Sequence, residues 1–306
     1  MGECMNDPAT SGRSSASLLD TFGKWIPARF RSDIPVVPVV RLSGVIGAVT
    51  PLRPGMSLAG VAKLLERAFA TRNAKAVALA INSPGGSPVQ SRLIYLRIRA
   101  LAAEKKLPVY AFVEDVAASG GYMIACGADE IYCDPSSIVG SIGVVGGSFG
   151  FQELIKKIGV ERRLYTAGEH KAQLDPFLPE DPGDVARVKA LQQEIHALFI
   201  SLVKDSRGAR LKGDDAKLFS GEYWAGATSV SLGLSDAIGD LRAVLRDKFG
   251  DKVRTPVIAA PTGLLSGLMR KSSGAGTEAS LDGFAALPDQ LISALEARAI
   301  WAKYGF

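Results

Sequence analysis

The sequence predicts an α/β domain with a largely parallel sheet. Two observations carry this: short apolar runs rich in Val, Ile and Ala alternate with helix-length segments, and several runs stop at glycine-bearing turns such as Pro84-Gly85-Gly86 and Ser119-Gly120-Gly121. Alternation of this kind is the pattern of strands joined by helical crossovers. With 306 residues, 47% of them hydrophobic, the chain is long enough for one large domain or two smaller ones.

In order, Val36–Leu42 reads as a strand and Leu58–Ala70 as a helix. Ala76–Asn82 is a strand, Gln90–Glu104 a helix and Val109–Val113 a buried strand. A helix over Ser119–Gly127 and a strand over Glu130–Cys133 follow, with a further short strand at Arg163–Tyr165. The longest helix is expected from Pro182 to about Asp205, with Val188, Leu191, Ile195, Leu198 and Leu202 on one face. His196 falls within it and reads as structural. Domain organisation is expected as three parts. Residues 1–33 form an irregular N-terminus plus a short amphipathic helix, 34–250 the main domain, and 251–306 a Gly/Ser-rich linker followed by a helix over Pro288–Tyr304.

Several function classes are disfavoured. The net charge is +5, yet Lys and Arg are dispersed among 31 acidic residues, so no basic block suggests nucleic-acid binding. Cys4, Cys126 and Cys133 make no metal-ligand spacing and only two histidines are present, so neither a disulfide framework nor a zinc site is expected. Cysteine usage leans towards a cytoplasmic location. The nearest candidate span, Ile34–Leu52, holds three prolines and Arg41. Leu18, Leu19, Phe22, Trp25 and Ile26 recur at helical spacing beside Lys24 and Arg29, so this helix fits a membrane surface, its own domain or another subunit.

The chemistry centres on Val116-Ala-Ala-Ser119-Gly-Gly-Tyr122, where a serine stands between a buried strand and a helix. Such a turn exposes the hydroxyl and leaves the next backbone N–H groups free for an oxyanion; tight packing of small residues explains the same letters. Upstream, the Pro84-Gly85-Gly86 turn supplies a second set of amides, so Gly86 and Gly120 are candidate donors. A base for Ser119 would be His170, His196 or a lysine. Lys171 stands out among lysines, because Ala172, Leu174 and Phe177 could desolvate it.

Five strings occur in order: INSPGG at 81–86, ASGGYMIA at 118–125, GSIGVV at 140–145, GEHKAQLDPF at 168–177 and GEYWAGATSVSLGLSDAIGD at 221–240. Together they resemble the signal peptide peptidase A family of Ser/Lys proteases, relatives of the Clp protease and crotonase folds, over roughly residues 35 to 245. The resemblance implies a repeated β-β-α superhelix, Ser119 as nucleophile and Lys171 as general base. It implies that Ser141 holds the lysine amine and that the Gly86 and Gly120 amides form the oxyanion hole. It implies no cofactor, extended apolar peptides as substrates, and a homo-oligomer whose sites are shared between subunits. Members commonly carry an N-terminal membrane anchor, and this sequence shows none, so the expected location is cytoplasmic or peripheral at a membrane. The rival readings are a crotonase-type acyl-CoA enzyme, which would not need a nucleophilic serine, and a non-catalytic scaffold of the same fold.

Overall fold

The computed structural model describes residues 34–47, 55–259, 299 and 301–304. Strand β1 (Val39–Ser43) leads to helix α1 (Leu58–Phe69). Ser57 caps α1 by accepting from the Gly60 amide, and Val61, Leu65, Ala68 and Phe69 bury one stripe of it. Strand β2 (Val77–Ser83) is apolar on both faces, as a central parallel strand must be. Helix α2 (Pro88–Lys105) starts with Ser87 as cap and Pro88 in its first turn, and buries Ile94, Ile98, Leu101 and Ala102.

The long strand β3 (Val109–Ala118) then enters the short, wholly buried helix α3 (Gly120–Ala125). Strands β4 (Glu130–Cys133) and β5 (Ile138–Gly140) follow. Helices α4 (Gln152–Lys157), α5 (Pro182–Arg207) and α6 (Asp215–Leu218) precede β6 (Tyr223–Ala225), α7 (Gly226–Ser231), β7 (Ala237–Ile238) and α8 (Leu241–Phe249).

The sheet runs β1-β2-β3-β4-β7, every pair parallel, while β5 joins β3 in parallel and β6 joins β5 antiparallel. Strand β3 therefore serves two neighbours on one edge: Tyr110–Val113 pair with β4, and Val116–Ala118 pair with β5. One face of the sheet packs on α1, α2, α3 and the end of α5. The other face packs Tyr110, Phe112 and Tyr132 against Leu245 and Phe249 of α8. The α/β class with a largely parallel sheet is thus what the chain adopts.

A buried ion pair ties α5 to the sheet. The Arg207 guanidinium, with no exposed side-chain surface, donates to both carboxylate oxygens of Asp236 at 2.8 and 3.0 Å, and through Nε to Gly233 O at 3.0 Å. Asp236 also accepts from the Ile131 amide of β4 at 2.7 Å.

Two expectations need correction. Arg163–Tyr165 is not a strand: it pairs with no strand among the described residues and Tyr165 is 90% exposed, so no ladder exists to hold it. The long helix does not bury the expected stripe along its length. Leu191 and Leu198 are 56% and 62% exposed, whereas Phe199, Leu202, Val203 and Arg207 are buried, because only the C-terminal half of α5 lies on the core. The N-terminal amphipathic helix, the linker and most of Pro288–Tyr304 lie outside the described residues. Of that last segment, Trp301 and Tyr304 dock on Val116, Ala118 and Ile138.

Candidate active site

Ser119, directly after β3, has φ 52° and ψ −123°, a conformation rarely adopted by residues with a side chain. Two bonds hold it: its amide donates to Gly140 O at 2.8 Å, and its carbonyl accepts from Met123 N at 3.0 Å. A serine on such a strand-to-helix turn is thrust out of the sheet. Its hydroxyl makes no capping bond to α3, and the residue is partly exposed.

The turn after β2 lies directly against it. A methyl placed on Gly85 would come within 2.8 Å of Ser119 Cβ and 2.9 Å of the Gly120 amide nitrogen. Gly86, at φ +138°, pairs with Ile46: Ile46 N donates to Gly85 O and Ser87 N donates to Ile46 O, both at 2.8 Å. This pattern uses the groups flanking Gly86 and points its own N–H away from Ile46. Gly120 opens α3, where an amide has no intrahelical acceptor. Ser119, Gly86 and Gly120 are therefore brought together.

Ser141 follows the Gly140 that binds the Ser119 amide, and it too has a positive φ, 53°. Its amide donates to Glu222 O at 2.6 Å, and its side chain is almost wholly buried. The hydroxyl is bonded to Tyr304, whose O–H donates to it at 3.2 Å, and not to Lys171. Burial pushes the Tyr304 phenol above its ordinary pKa, outweighing the Ser141 contact, so it stays a protonated donor. Tyr223 supports this contact edge-on, with ring centroids 5.1 Å apart, and its own hydroxyl donates to Lys303 O at 3.2 Å. The Ser141–Tyr304 contact spans 163 residues of sequence and carries no local motif.

Lys171 stands apart, exposed within the stretch from Val145 to Leu178 where many apolar side chains face solvent, among them Phe149, Leu154 and Ile158. Its amide bonds Gly168 O at 3.2 Å, and no hydrogen bond links its side chain to Ser119 or Ser141 among the described residues. His170 beside it is exposed too. His196 has its Nε2 3.1 Å from Ile142 O, which commits that nitrogen to a backbone carbonyl. Among the described residues no group of three or more His, Cys, Asp and Glu is placed to hold a metal, and no helix is long and apolar enough to cross a membrane.

Residues 101–251 match the profile of peptidase family S49. A Synechocystis sp. (strain PCC 6803) protein, slr0021, provisionally named a protease, is 31% identical over 224 residues that make up 69% of this chain and 78% of that protein. The chain belongs to peptidase family S49. A longer Brucella abortus (strain 2308) protein named Na(+)/H(+) antiporter NhaA is 57% identical over 287 residues, 92% of this chain but 38% of that relative. This chain thus spans well under half of the Brucella protein, and the shared part contains the segment matched to the peptidase family. Among solved structures, the membrane-bound stomatin-specific protease 1510-N aligns with 74% of this chain and 98% of its own, at 16% identity and a TM-score of 0.46.

Proposed function

We propose that this S49 chain is a serine endopeptidase that uses Ser119 as nucleophile and Lys171 as general base, and that it cleaves extended apolar peptides. The observation that carries the reading is the interlocked pair of turns. They set Ser119 at positive φ beside the Pro84–Gly86 turn, which supports the Gly86 and Gly120 amides as donors to one developing oxyanion. Neutral Lys171 takes the Ser119 proton as Oγ attacks the peptide carbonyl. The lysinium then protonates the leaving amine as the C–N bond breaks, and a water deprotonated by Lys171 hydrolyses the acyl-enzyme. Ser141 would place the lysine amine, sharing its hydroxyl with Tyr304 or displacing it.

A lysine serves as base at neutral pH only when its ammonium is desolvated. Lys171 is exposed in the single chain, in a stretch where Phe149, Leu154 and Ile158 also face solvent. This favours a homo-oligomer in which Lys171 of one subunit completes the Ser119 site of the next. The test is cleavage of an unfolded protein and of an alanine-rich apolar peptide by wild type, Ser119→Ala, Lys171→Ala and the two variants co-assembled. Activity in wild type, loss in each variant and partial recovery in the mixture is the expected result. Activity persisting in Lys171→Ala at neutral pH refutes the assigned base, and no recovery in the mixture refutes the shared site.

A further inference from the structure

The turn that carries Ser141 is held in a conformation that its own sequence does not favour. Ser141 has φ 53°, and Ile142 after it is completely buried. Next comes Gly143, where a methyl would lie 3.1 Å from the Gly221 Cα, so the turn is pressed against the 221–223 segment on that side. Glu222 O holds the Ser141 amide, and the Tyr304 O–H reaches its hydroxyl. On the remaining side, His196 of α5 reaches Ile142 O at 3.1 Å. A carbonyl only accepts, so Nε2 carries the proton and donates. This contact joins the turn to the middle of α5, three residues before Phe199, where the helix begins to bury side chains on the core.

We propose that His196 is a positioning residue for the active site: by donating from Nε2 to Ile142 O it fixes the Ser141 turn, and with it the direction of the Ser141 hydroxyl. The assignment rests on Ser141 serving the lysine amine, as set out under the proposed function. His196 does not itself touch the reacting atoms. Its loss lets the turn relax towards an ordinary backbone geometry, and a displacement of about 1 Å at a catalytic group can cost on the order of a hundredfold in rate.

The experiment measures kcat and KM on the alanine-rich peptide for wild type, Ser141→Ala, His196→Ala and the double variant, with thermal unfolding alongside. His196→Ala is expected to lower kcat about tenfold or more with KM nearly unchanged. In the Ser141→Ala background the same change should cost nothing further, because the group it positions is gone. Fully additive losses, or a loss confined to KM, overturn the proposal. If Ser141→Ala alone leaves kcat intact, the role given to Ser141 fails separately, before His196 is weighed. Should His196→Ala fold poorly, the conservative pair decides. The Gln amide nitrogen lies about as far from Cβ as His Nε2, whereas the Asn nitrogen falls short. His196→Gln should keep most of kcat and His196→Asn should lose it; equal rates in the two overturn the idea.

Discussion

Replacing Asp236 by Asn tests how the Ser119 turn is supported from behind. All four contacts to the Asp236 carboxylate come from N–H donors: Ile131 N, both terminal nitrogens of Arg207 and Arg210 at 3.4 Å. An Asn side chain must turn its own NH2 towards one of these donors and leave the Arg207 charge, with no exposed side-chain surface, uncompensated. Breaking a buried pair from one side costs about 3–5 kcal/mol. For a domain of this size each kcal/mol lowers Tm by about 2–4 °C, so a fall of roughly 6–20 °C is expected. Burial alone would raise the Asp236 pKa, but the Arg207 bonds, the Ile131 amide and the arginine charges outweigh it, and the net direction is down. That contribution is complete above the unfolded carboxylate value near ~3.9 and is lost as pH falls below it through the folded value, so the gap between variant and wild type should close in that acid range. The loop held by this pair also contains Leu234, whose carbonyl accepts from Tyr122 OH at 2.8 Å. Tyr122 is three residues beyond Ser119, so peptidase activity should fall with stability. Circular dichroism melts at pH 7 and below pH 4 make the measurement. A fall under about 2 °C at pH 7 would refute the claim that the pair braces this region.

Gly86→Ala should abolish most activity while sparing the fold. The added methyl would sit 2.1 Å from Ile46 O at φ +138°, so the turn must move and carry its amide off the oxyanion position, for a loss in kcat of about a hundredfold or more. An unchanged kcat would remove Gly86 from the site. Ser119→Gly and Ser119→Ala should both be inactive, but the Gly variant should unfold at the higher temperature. Relief of about 1–3 kcal/mol of backbone strain exceeds the ~0.5–1 kcal/mol entropy cost of glycine, and the reverse order would contradict the strain at φ 52°. Burial pushes the Cys126 thiol up to about 11 and raises Cys133 as well. In a Cys4→Ser protein at pH 8, a disulfide reagent should therefore label neither until denaturant is added; rapid labelling of the native protein would contradict their burial.

The sheet and the strand-to-helix turn at Ser119 were legible because they are written locally. Continuous apolar runs at Val77–Ile81 and Val109–Val113 have strand length and read as buried strands, and Ser119-Gly120-Gly121 permits a close approach that larger residues would block. Boundaries fell within a few residues except in β3, which continues to Ala118. Glu114 and Asp115 interrupt its apolar pattern, and pairing with β5, with Ser83 of β2 opposite Ala117, carries the strand past them. The apolar face of α5 was misread because periodicity gives the stripe but not what covers it. Leu191 and Leu198 have the right spacing, yet they largely face solvent. Lys171 was singled out by its motif, and that motif says nothing of where an exposed segment docks. The contacts of Tyr304 and His196 with the Ser141 turn join residues 163 and 54 apart in sequence, which no local pattern encodes.

The division of β3 between two partners also bears on how the site moves. Val109–Val113 are locked between β2 and β4 in the middle of the sheet, whereas Val116–Ala118 lean on β5, itself three residues long and followed by the equally short β6. Between them the register with β2 slips after Ile81. Amide hydrogen exchange should accordingly resolve two units within one strand, with the Ser119-bearing end opening at a lower free energy than the central end. Such a boundary lets the Ser119-bearing end of the strand loosen while the central sheet stays folded.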